Sequence, residues 1–340
     1  MTYLMPKLKR PSNGYDSYSS SELCLSLQKN SFGNFGKLTL DGTFNINCLN
    51  DTLESPSLFY SHPNGEIWIG DATAWLKTLE NESIDLIFAD PPYNINKTEW
   101  DSFESQEEYI KWSLLWIKEA SRVLKPNGTL YVCGFSEILA DIKHPALKHF
   151  EGCRWLIWHY KNKANLGSGW GRSHESILHF RKSRKFTFNI DEIRLPYGNH
   201  TLKYPSHPQA ETSQYGDKKN GGRLWTPNPL GAKPKDVIEI PTTCNGMNEK
   251  TPHPTQKPEE LLRKFILASS NPGDIVIDPF LGSGTTAVVS EQLGRKWKGC
   301  DISIEYSFWA AKRIELVQRK SIQEWIQFDA KNTERRKSIR

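Results

Sequence analysis

The tetrapeptide Asp90-Pro91-Pro92-Tyr93 places one carboxylate, two prolines and an aromatic ring at the end of an apolar run, residues 84–89. The run predicts a buried strand, and in open α/β sheets ligands bind just beyond the carboxyl ends of the strands. The prolines lack backbone N–H groups, so the backbone at these two positions offers carbonyl acceptors and no donors. Such a cluster suits an exocyclic amino group, which offers two N–H donors beside a flat π-system. An acid followed by an ordinary turn is the alternative interpretation.

A second candidate site follows another apolar run, residues 274–278. It is a glycine-rich turn, Pro279-Phe280-Leu281-Gly282-Ser283-Gly284-Thr285-Thr286. Gly282 and Gly284 let the backbone approach a ligand closely, and Asp301, at the end of the next predicted strand, can accept from ribose hydroxyls. The spacing is similar to a dinucleotide fingerprint. However, Asp278 before the turn would repel a pyrophosphate and favours a cation or an amino group. A P-loop is not predicted, because no Lys-Ser or Lys-Thr follows the glycines.

Alternating strand and helix patterns surround the two motifs. We predict strands at 66–69, 84–89, 129–133, 155–160, 176–180, 274–278 and 296–301, and helices at 72–79, 106–123, 259–270, 287–293 and 304–318. This alternation indicates a mostly parallel sheet covered on both faces. Between about 191 and 250 Pro, Gly, Asn, Thr, Lys and His dominate, which favours a recognition insert over a passive loop.

Composition argues against several classes of protein. No apolar stretch approaches the ~20 residues that span a bilayer, and the first 21 residues lack the apolar core of a signal peptide. The six cysteines are scattered, without the close pairs of zinc or redox sites, so we predict no metal and a reducing cytoplasm. The net charge of +5 is compatible with a polyanionic partner.

Taken together, the two motifs resemble those of the amino-group DNA methyltransferases, which make N6-methyladenine or N4-methylcytosine with S-adenosyl-L-methionine. The tetrapeptide precedes the glycine motif, as in the permuted group called β. The segment His253-Pro254-Thr255-Gln256-Lys257-Pro258 also matches that group. The resemblance covers roughly residues 66–315.

This resemblance implies an α/β fold: a Rossmann-like methyltransferase domain whose mostly parallel seven-stranded sheet has helices on both faces, with a target-recognition insert. The expected segments are an N-terminal extension (1–60), a catalytic half (61–190), the insert (191–250), a cofactor-binding half (251–318) and a basic tail (319–340). We expect the extension to be partly ordered at best.

Residue by residue, the resemblance makes Asp90, Pro91, Pro92 and Tyr93 catalytic. The residues it assigns to cofactor binding are Asp71, Ala72, Asp90, His253, Thr255, Lys257, Asp278, Pro279, Phe280, Gly282, Ser283, Gly284, Thr285 and Asp301. Asp301 would hold the ribose, Asp71 the adenine of the cofactor, and Thr255 and Lys257 its methionine end. Candidate DNA contacts are Lys163, Arg172, Lys218, Lys219 and Arg223. A solvated surface charge is the alternative for these five and for Asp71 and Lys257.

The expected reaction is methylation of the N6 amino group of an adenine flipped out of duplex DNA. Asp90 would accept one N–H and the Pro91 carbonyl the other, so that the nitrogen lone pair faces the methyl group. Tyr93 would stack on the flipped base. Because stacking needs the ring more than the hydroxyl, Tyr93→Phe is expected to be mild.

Adenine is favoured because, in the family, an Asp at the first motif position followed by Asn (Asn94 here) goes mostly with adenine. N4-cytosine methylation is the alternative. A nicotinamide-dependent oxidoreductase would leave the tetrapeptide without a role, and a non-catalytic DNA-binding module would explain only the basic tail. Double-stranded DNA is the expected partner, in a bacterial or archaeal cytoplasm and on the nucleoid. The resemblance also allows a cognate restriction endonuclease and a homodimer, as in restriction-modification systems.

Overall fold

The computed structural model describes residues 42–45, 55–94, 101–162, 168–204, 206–208, 224–244, 247–317 and 320–338. Its strands are β1 (Thr43–Phe44), β2 (Ser57–His62), β3 (Gly65–Ile69), β4 (Ile84–Ala89), β5 (Leu124–Gly134), β6 (Gly152–His159), β7 (His174–Arg181), β8 (His207–Pro208), β9 (Leu224–Trp225), β10 (Val237–Glu239), β11 (Ile275–Asp278) and β12 (Lys296–Asp301). The helices are α1 (Ala72–Thr78), α2 (Gln106–Val123), α3 (Ser136–Ala146), α4 (Asn199–Lys203), α5 (Glu259–Ser269), α6 (Thr285–Gln292), α7 (Ile304–Glu315) and α8 (Ile322–Ser338). Short 3₁₀ turns lie at Leu147–His149 and Ile190–Ile193.

Within these residues, ten strands form one sheet in the order β1-β2-β3-β12-β11-β4-β5-β7-β6-β10. The run β3-β12-β11-β4-β5 is parallel throughout, and β7 is antiparallel to both of its neighbours. The seven strands from β3 to β6 are the predicted mostly parallel sheet. Two strands, β1 and β2, extend it at one edge, and β10 extends it at the other.

Strand β4 lies inside this sheet and is buried along its whole length. Ile87 and Ala89 face one apolar cluster, and Leu86 and Phe88 face the other. A strand buried on both faces reads as a continuous apolar run, which explains the pattern seen before the tetrapeptide. The exception, Asp85, accepts hydrogen bonds from the Lys125 ammonium at 2.8 Å and the Ile275 amide at 2.9 Å.

Helices cover both faces of the sheet, as predicted. Helices α1, α2 and α3 bury Trp75, Trp116 and Ile142 against one face. Helices α5 and α6 bury Phe265 and Val289 against the other. Helix α7 packs on the β3–β12 end of the sheet. Among the described helices, none is long and apolar enough to cross a membrane.

Two predicted boundaries differ from the structure. Strand β2 pairs with β3 from residue 57 onwards, so the sheet already begins within the segment predicted as an N-terminal extension, residues 1–60. Strand β5 begins at Leu124, not at the predicted Thr129, and the segment Pro126-Asn127-Gly128 forms an irregularity in its pairing with β4. Most of the predicted extension, residues 1–41, lies outside the described residues.

The predicted basic tail contains a helix, α8, that packs against α5. Trp325 of α8 is buried, and the Arg263 guanidinium of α5 lies 4.2 Å from the centre of its ring. The Arg263 Nε donates to Asp329 at 2.9 Å, so this buried cation has its carboxylate partner on α8. The sequence pattern did not show this, because Arg263 and Asp329 are 66 residues apart.

We expect Asp329→Ala to lower the free energy of unfolding by about 1–3 kcal/mol, because it leaves the buried Arg263 without its carboxylate partner. Urea denaturation followed by circular dichroism measures the loss. Gln327→Ala, at an exposed position of the same helix, is the matched control and should be neutral. Equal stability of the two variants would mean that α8 does not pack on α5 in solution.

Candidate active site

The carboxyl ends of four neighbouring parallel strands lie together along one side of the sheet, which we call the carboxyl edge. Each of the four strands leads to an aspartate. In spatial order these are Asp71 beyond β3, Asp301 at the end of β12, Asp278 at the end of β11 and Asp90 just after β4. In sequence they are up to 230 residues apart, and only the parallel pairing brings them together. This edge is the region where open α/β sheets bind ligands.

The glycine-rich turn joins the two central aspartates of this row. Asp301 accepts hydrogen bonds from the amides of Gly282 at 2.7 Å and Ser303 at 2.8 Å. Asp278 accepts from the Phe280 amide at 3.0 Å and from the Thr286 hydroxyl at 2.6 Å. Each carboxylate oxygen keeps a further lone pair for a ligand.

Both glycines are required by local geometry. Gly282 has φ +52° and Gly284 has φ +78°, in the left-handed region that disfavours other residues. A Cβ at Gly284 would lie 2.5 Å from the Cβ of Ala310, so this glycine lets α6 and α7 pack closely. A Cβ at Gly282 would lie 3.0 Å from Nε2 of His253, so this glycine admits the His253 ring.

Burial of the two central carboxylates, Asp278 and Asp301, disfavours their charged forms. Burial raises the pKa of Asp278 to about 7 and that of Asp301 to about 6, although hydrogen bonds oppose part of each rise. Asp90 and Asp301 add repulsion at Asp278. A positively charged ligand at this edge would therefore be stabilised by the carboxylates, as the sequence predicted for Asp278.

Asp90 belongs to a cluster with Tyr93, Glu175 and Lys257, in which Glu175 and Lys257 are buried and Asp90 and Tyr93 are partly buried. The Lys257 ammonium donates to Asp90 Oδ2 at 2.6 Å and lies 3.3 Å from Glu175 Oε2. The Tyr93 hydroxyl lies 2.6 Å from Asp90 Oδ1 and 3.0 Å from Glu175 Oε2, within hydrogen-bond reach of both carboxylates. Burial raises the pKa of Asp90, and the charge of Lys257 opposes that rise. Burial alone would lower the pKa of Lys257, but Asp90 and Glu175 outweigh it and hold that pKa above its usual value.

Two residues outside the motif fix the backbone of the tetrapeptide. The buried Asp101 carboxylate accepts from the amides of Tyr93 and Asn94, both at 2.6 Å. The Tyr109 hydroxyl donates to the Pro92 carbonyl. In the described part of the chain no group donates to the Pro91 carbonyl, so this acceptor is available beside the Asp90 carboxylate.

The segment from His253 to Lys257 connects the two motifs. His253 is buried next to Gly282, and its ring packs against Tyr306 at 4.5 Å. The Thr255 amide donates to His253 Nδ1 at 3.3 Å. The Thr285 hydroxyl donates to the Lys257 carbonyl at 3.1 Å, which ties the segment to the start of α6. The segment therefore lies between the glycine turn and Asp90.

The remaining predicted cofactor residues line the same edge with local structural roles. Asp71 caps α1 by accepting from the Ala74 amide at 2.8 Å, and Ala72 begins that helix. Phe280 packs on Trp116 at 5.2 Å. Pro279 is buried. The Ser283 carbonyl accepts from Arg313 at 2.8 Å.

The structure decides between the alternatives left open for Lys257. It is only 7% exposed and paired, so it is not a solvated turn charge. Its partners are the carboxylates of Asp90 and Glu175, which places it at the tetrapeptide. The hydroxyl of Tyr93 also has partners, so Tyr93→Phe would keep the ring and remove the contacts of the hydroxyl with Asp90 and Glu175.

Of the five predicted DNA contacts, Lys163, Lys218, Lys219 and Arg223 lie outside the described residues. Arg172 is half-exposed, and its guanidinium lies 3.8 Å from the centre of the Phe135 ring and 3.4 Å from Glu137. The Phe135 ring packs edge-on against Tyr93 at 4.9 Å. Arg172 is thus separated from the tetrapeptide by one aromatic ring.

Sequence reasoning missed Glu175 and Asp101. Glu175 reaches Lys257 because β7 runs antiparallel to β5, with Ser176 opposite Gly134. No local pattern marks that pairing. Asp101 carried a weak signal, since an acid shortly after a proline-rich turn often binds the amides of the turn.

The chain is similar in sequence and in fold to known proteins. Residues 84–312 match the model of a DNA methylase family, the N6/N4 type. The type II methyltransferase M1.MboII of Moraxella bovis is 38% identical over 242 residues, which are 68% of this chain and 89% of M1.MboII. The DNA adenine methyltransferase YhdJ of Escherichia coli is 36% identical over 263 residues, which are 75% of this chain and 84% of YhdJ. The solved structure of PvuII DNA methyltransferase (cytosine-N4-specific) has a TM-score of 0.55 at 21% identity, covers 74% of this chain and 86% of its own, and supports the fold alone.

The raised pKa of Asp278 predicts a pH-dependent stability. Because the folded state holds this proton up to about pH 7 and the unfolded chain only to about pH 4, the free energy of unfolding falls as pH rises between those values. Asp278→Asn should therefore be more stable than the parent protein at pH 8, by roughly 1–4 kcal/mol. The difference should vanish below pH 4.

Urea denaturation without added ligands, repeated from pH 4 to pH 8, measures this dependence. Asp141→Asn, which removes a carboxylate from an exposed position of α3, is the control and should change nothing. A constant difference between Asp278→Asn and the parent protein at all pH values would contradict the burial argument.

Proposed function

This chain belongs to the N6/N4 family of DNA methylases, and from that premise we propose that it methylates the N6 amino group of an adenine flipped out of duplex DNA. The observation that carries the proposal is the pair of acceptors at the end of β4. Asp90, the last of the four strand-end aspartates, is followed directly in the chain by Pro91, whose carbonyl receives no hydrogen bond from any described residue. An amino group with two N–H donors matches these acceptors, and a cationic ligand matches the row.

The proposed cofactor is S-adenosyl-L-methionine, which supplies, when bound, a methyl group on a positively charged sulfur. The residues at the strand ends fit such a group, because buried Asp278 and Asp301 have raised pKa values and a cation would stabilise their charged forms. Asp301 would hold the ribose hydroxyls and Asp71 the adenine. The glycine turn and the segment from His253 to Lys257 would enclose the methionine end.

The amino nitrogen of a base is a poor nucleophile because its lone pair is delocalised into the ring. Asp90 would accept one N–H and Pro91 the other, so that the nitrogen becomes pyramidal and its lone pair is exposed. The Asp90 carboxylate also stabilises the positive charge that develops on the nitrogen. Burial raises the pKa of Asp90, and the Lys257 ammonium opposes that rise and so favours the ionised form that this role needs.

The target base has to leave the duplex, at a cost of a few kcal/mol, before it can reach a carboxylate at the end of a buried strand. The Tyr93 ring would stack on the flipped base and recover part of that cost. Phe135 and Arg172, which continue from Tyr93 towards the surface, would face the DNA. We propose that the insert, residues 191–250, recognises the sequence around the target, and its exposed Leu202, Tyr204 and Leu230 support a contact role.

Adenine is the proposed base for two reasons. Asp90 followed by Asn94 is the pattern that goes mostly with adenine in the family, and YhdJ, a relative over most of this chain, is named as an adenine methyltransferase. The cytosine-specific PvuII enzyme is similar at the level of the fold alone. We further propose a cytoplasmic site of action on nucleoid DNA, with a cognate restriction endonuclease because M1.MboII is named as a type II enzyme. A homodimer stays a prediction.

The proposal is tested by incubating the protein with labelled S-adenosyl-L-methionine and unmethylated bacterial genomic DNA, followed by nucleoside digestion and mass spectrometry. We expect labelled N6-methyldeoxyadenosine. N4-methyldeoxycytidine would keep the reaction class and overturn the choice of base. No methylated nucleoside from protein that binds the cofactor would overturn DNA as the substrate.

Replacing the catalytic carboxylate should separate chemistry from binding. We expect Asp90→Ala to lower methyl transfer by at least ~10²-fold, since it removes an acceptor and the charge that stabilises the reacting nitrogen. Cofactor affinity should change little, because Lys257 retains Glu175 as a partner. Single-turnover methyl transfer and equilibrium dialysis with labelled cofactor measure the two quantities.

Two further variants serve as controls for Asp90→Ala. Asp90→Asn keeps the shape of the side chain and removes its charge, and it should lose most of the activity as well. The exposed Asp141→Asn should retain full activity. Retained turnover with lost cofactor affinity in Asp90→Ala would show that Asp90 binds the cofactor and does not act on the base.

A further inference from the structure

Glu175 has no role in the reaction described so far, although it shares both partners of Asp90. Its side chain is 10% exposed, and its Oε2 lies 3.0 Å from the Tyr93 hydroxyl and 3.3 Å from the Lys257 ammonium. The same hydroxyl lies 2.6 Å from Asp90 Oδ1. A single O–H group therefore bridges two buried carboxylates that share one cation. This arrangement forms a continuous hydrogen-bonded path from Asp90 to Glu175.

Methylation of an amino group leaves one proton that has to depart. Transfer of a methyl cation to R–NH₂ gives R–NH₂⁺–CH₃, and loss of H⁺ from this nitrogen gives the product R–NH–CH₃. Asp90 is the carboxylate next to the nitrogen in the proposed function, on which this inference rests. The Asp90 side chain is 16% exposed even without a base, and a flipped base on it would cover it further. In the proposed function the base covers Asp90 and makes no contact with Glu175, so Glu175 can hold the proton while the base is bound.

We propose that Glu175 receives this proton through the Tyr93 hydroxyl. Asp90 first takes the proton from the methylated nitrogen and becomes a carboxylic acid. The Tyr93 oxygen then accepts the proton of Asp90 while its own O–H proton passes to Glu175. Asp90 returns to its carboxylate form, Tyr93 is again a phenol, and Glu175 holds the proton until water removes it.

The other groups that face Glu175 are poor acceptors for this proton. Lys257 already carries its full set of protons, since Asp90 and Glu175 hold its pKa high against the effect of burial. Burial raises the pKa of the Cys133 thiol well above its usual value and that of Tyr160 to about 12, so both side chains stay protonated. Tyr93 is likewise a phenol, because burial and the adjacent carboxylates raise its pKa. Glu175 is left as the acceptor at the end of the path.

A purely structural role for Glu175, as a counterion of Lys257, makes a different prediction. The variant Glu175→Gln keeps an oxygen that can accept from Tyr93 and Lys257, but it cannot take up a proton. Tyr93→Phe keeps both carboxylates and removes the bridge between them. If the path carries the proton, both variants delay proton release relative to methyl transfer, whereas a structural defect slows the two events together.

The test compares these two events in one turnover. Rapid quench with labelled S-adenosyl-L-methionine and a duplex that carries the target site follows methyl transfer. Stopped flow with a pH indicator in weakly buffered solution follows proton release. In the parent protein we expect one proton to appear together with each methyl group. In Glu175→Gln and in Tyr93→Phe, release should lag methyl transfer by about tenfold or more, and the double variant should lag no further than either one.

Methyl transfer by the parent protein distinguishes a failure of the proposed function from a failure of the relay. If the parent protein transfers no methyl group to DNA, the proposed function fails. If it transfers methyl groups and release keeps pace with transfer in both variants, the relay is overturned. Lags that add up in the double variant would also overturn it, because they would place Glu175 and Tyr93 on separate paths.

Discussion

The Lys257 ammonium, held between the carboxylates of Asp90 and Glu175, is the interaction on which the site depends. Burial raises the pKa of Asp90, the charge of Lys257 opposes that rise, and the neighbouring Glu175 carboxylate adds to it. The ammonium also joins three parts of the chain: the end of β4, the start of β7 and the segment before α5. The Thr285 hydroxyl links that segment to the glycine turn. The position of the reactive carboxylate is therefore coupled to the part of the site proposed for the cofactor.

The parallel arrangement of the central strands explains why the site exists at this edge. Parallel strands all end on the same side, so acids that follow distant strands become neighbours. The fold tolerates this repulsion because backbone amides and hydroxyl groups bind Asp278 and Asp301. Hydrogen bonds compensate only in part, since both pKa values remain raised. A bound cationic ligand would stabilise the charged forms of these carboxylates and so remove the remaining destabilisation.

The sequence predicted the features that depend on local pattern. Apolar runs located the buried strands, and positive φ angles occur at Gly282 and Gly284, where close approach was expected. The features that depend on pairing over long distances were not predictable from a single sequence. Glu175 reaches the site through the register of β7 on β5, and Arg263 binds Asp329 through the docking of a helix that looked like a charged tail. Lys257 was identified as a candidate site residue from the sequence. Its burial depends on the packing of the residues around it and was not predicted.

A crystal structure with S-adenosylhomocysteine and a DNA duplex that carries the mapped methylation site would show directly what Asp90 and Pro91 bind. We expect an adenine outside the helix, with its amino nitrogen about 2.7–3.2 Å from both the Asp90 carboxylate and the Pro91 carbonyl. We also expect the cofactor product against the ends of β11 and β12. A target base whose amino group contacts neither Asp90 nor Pro91 would show that these two acceptors do not select and activate the amino group.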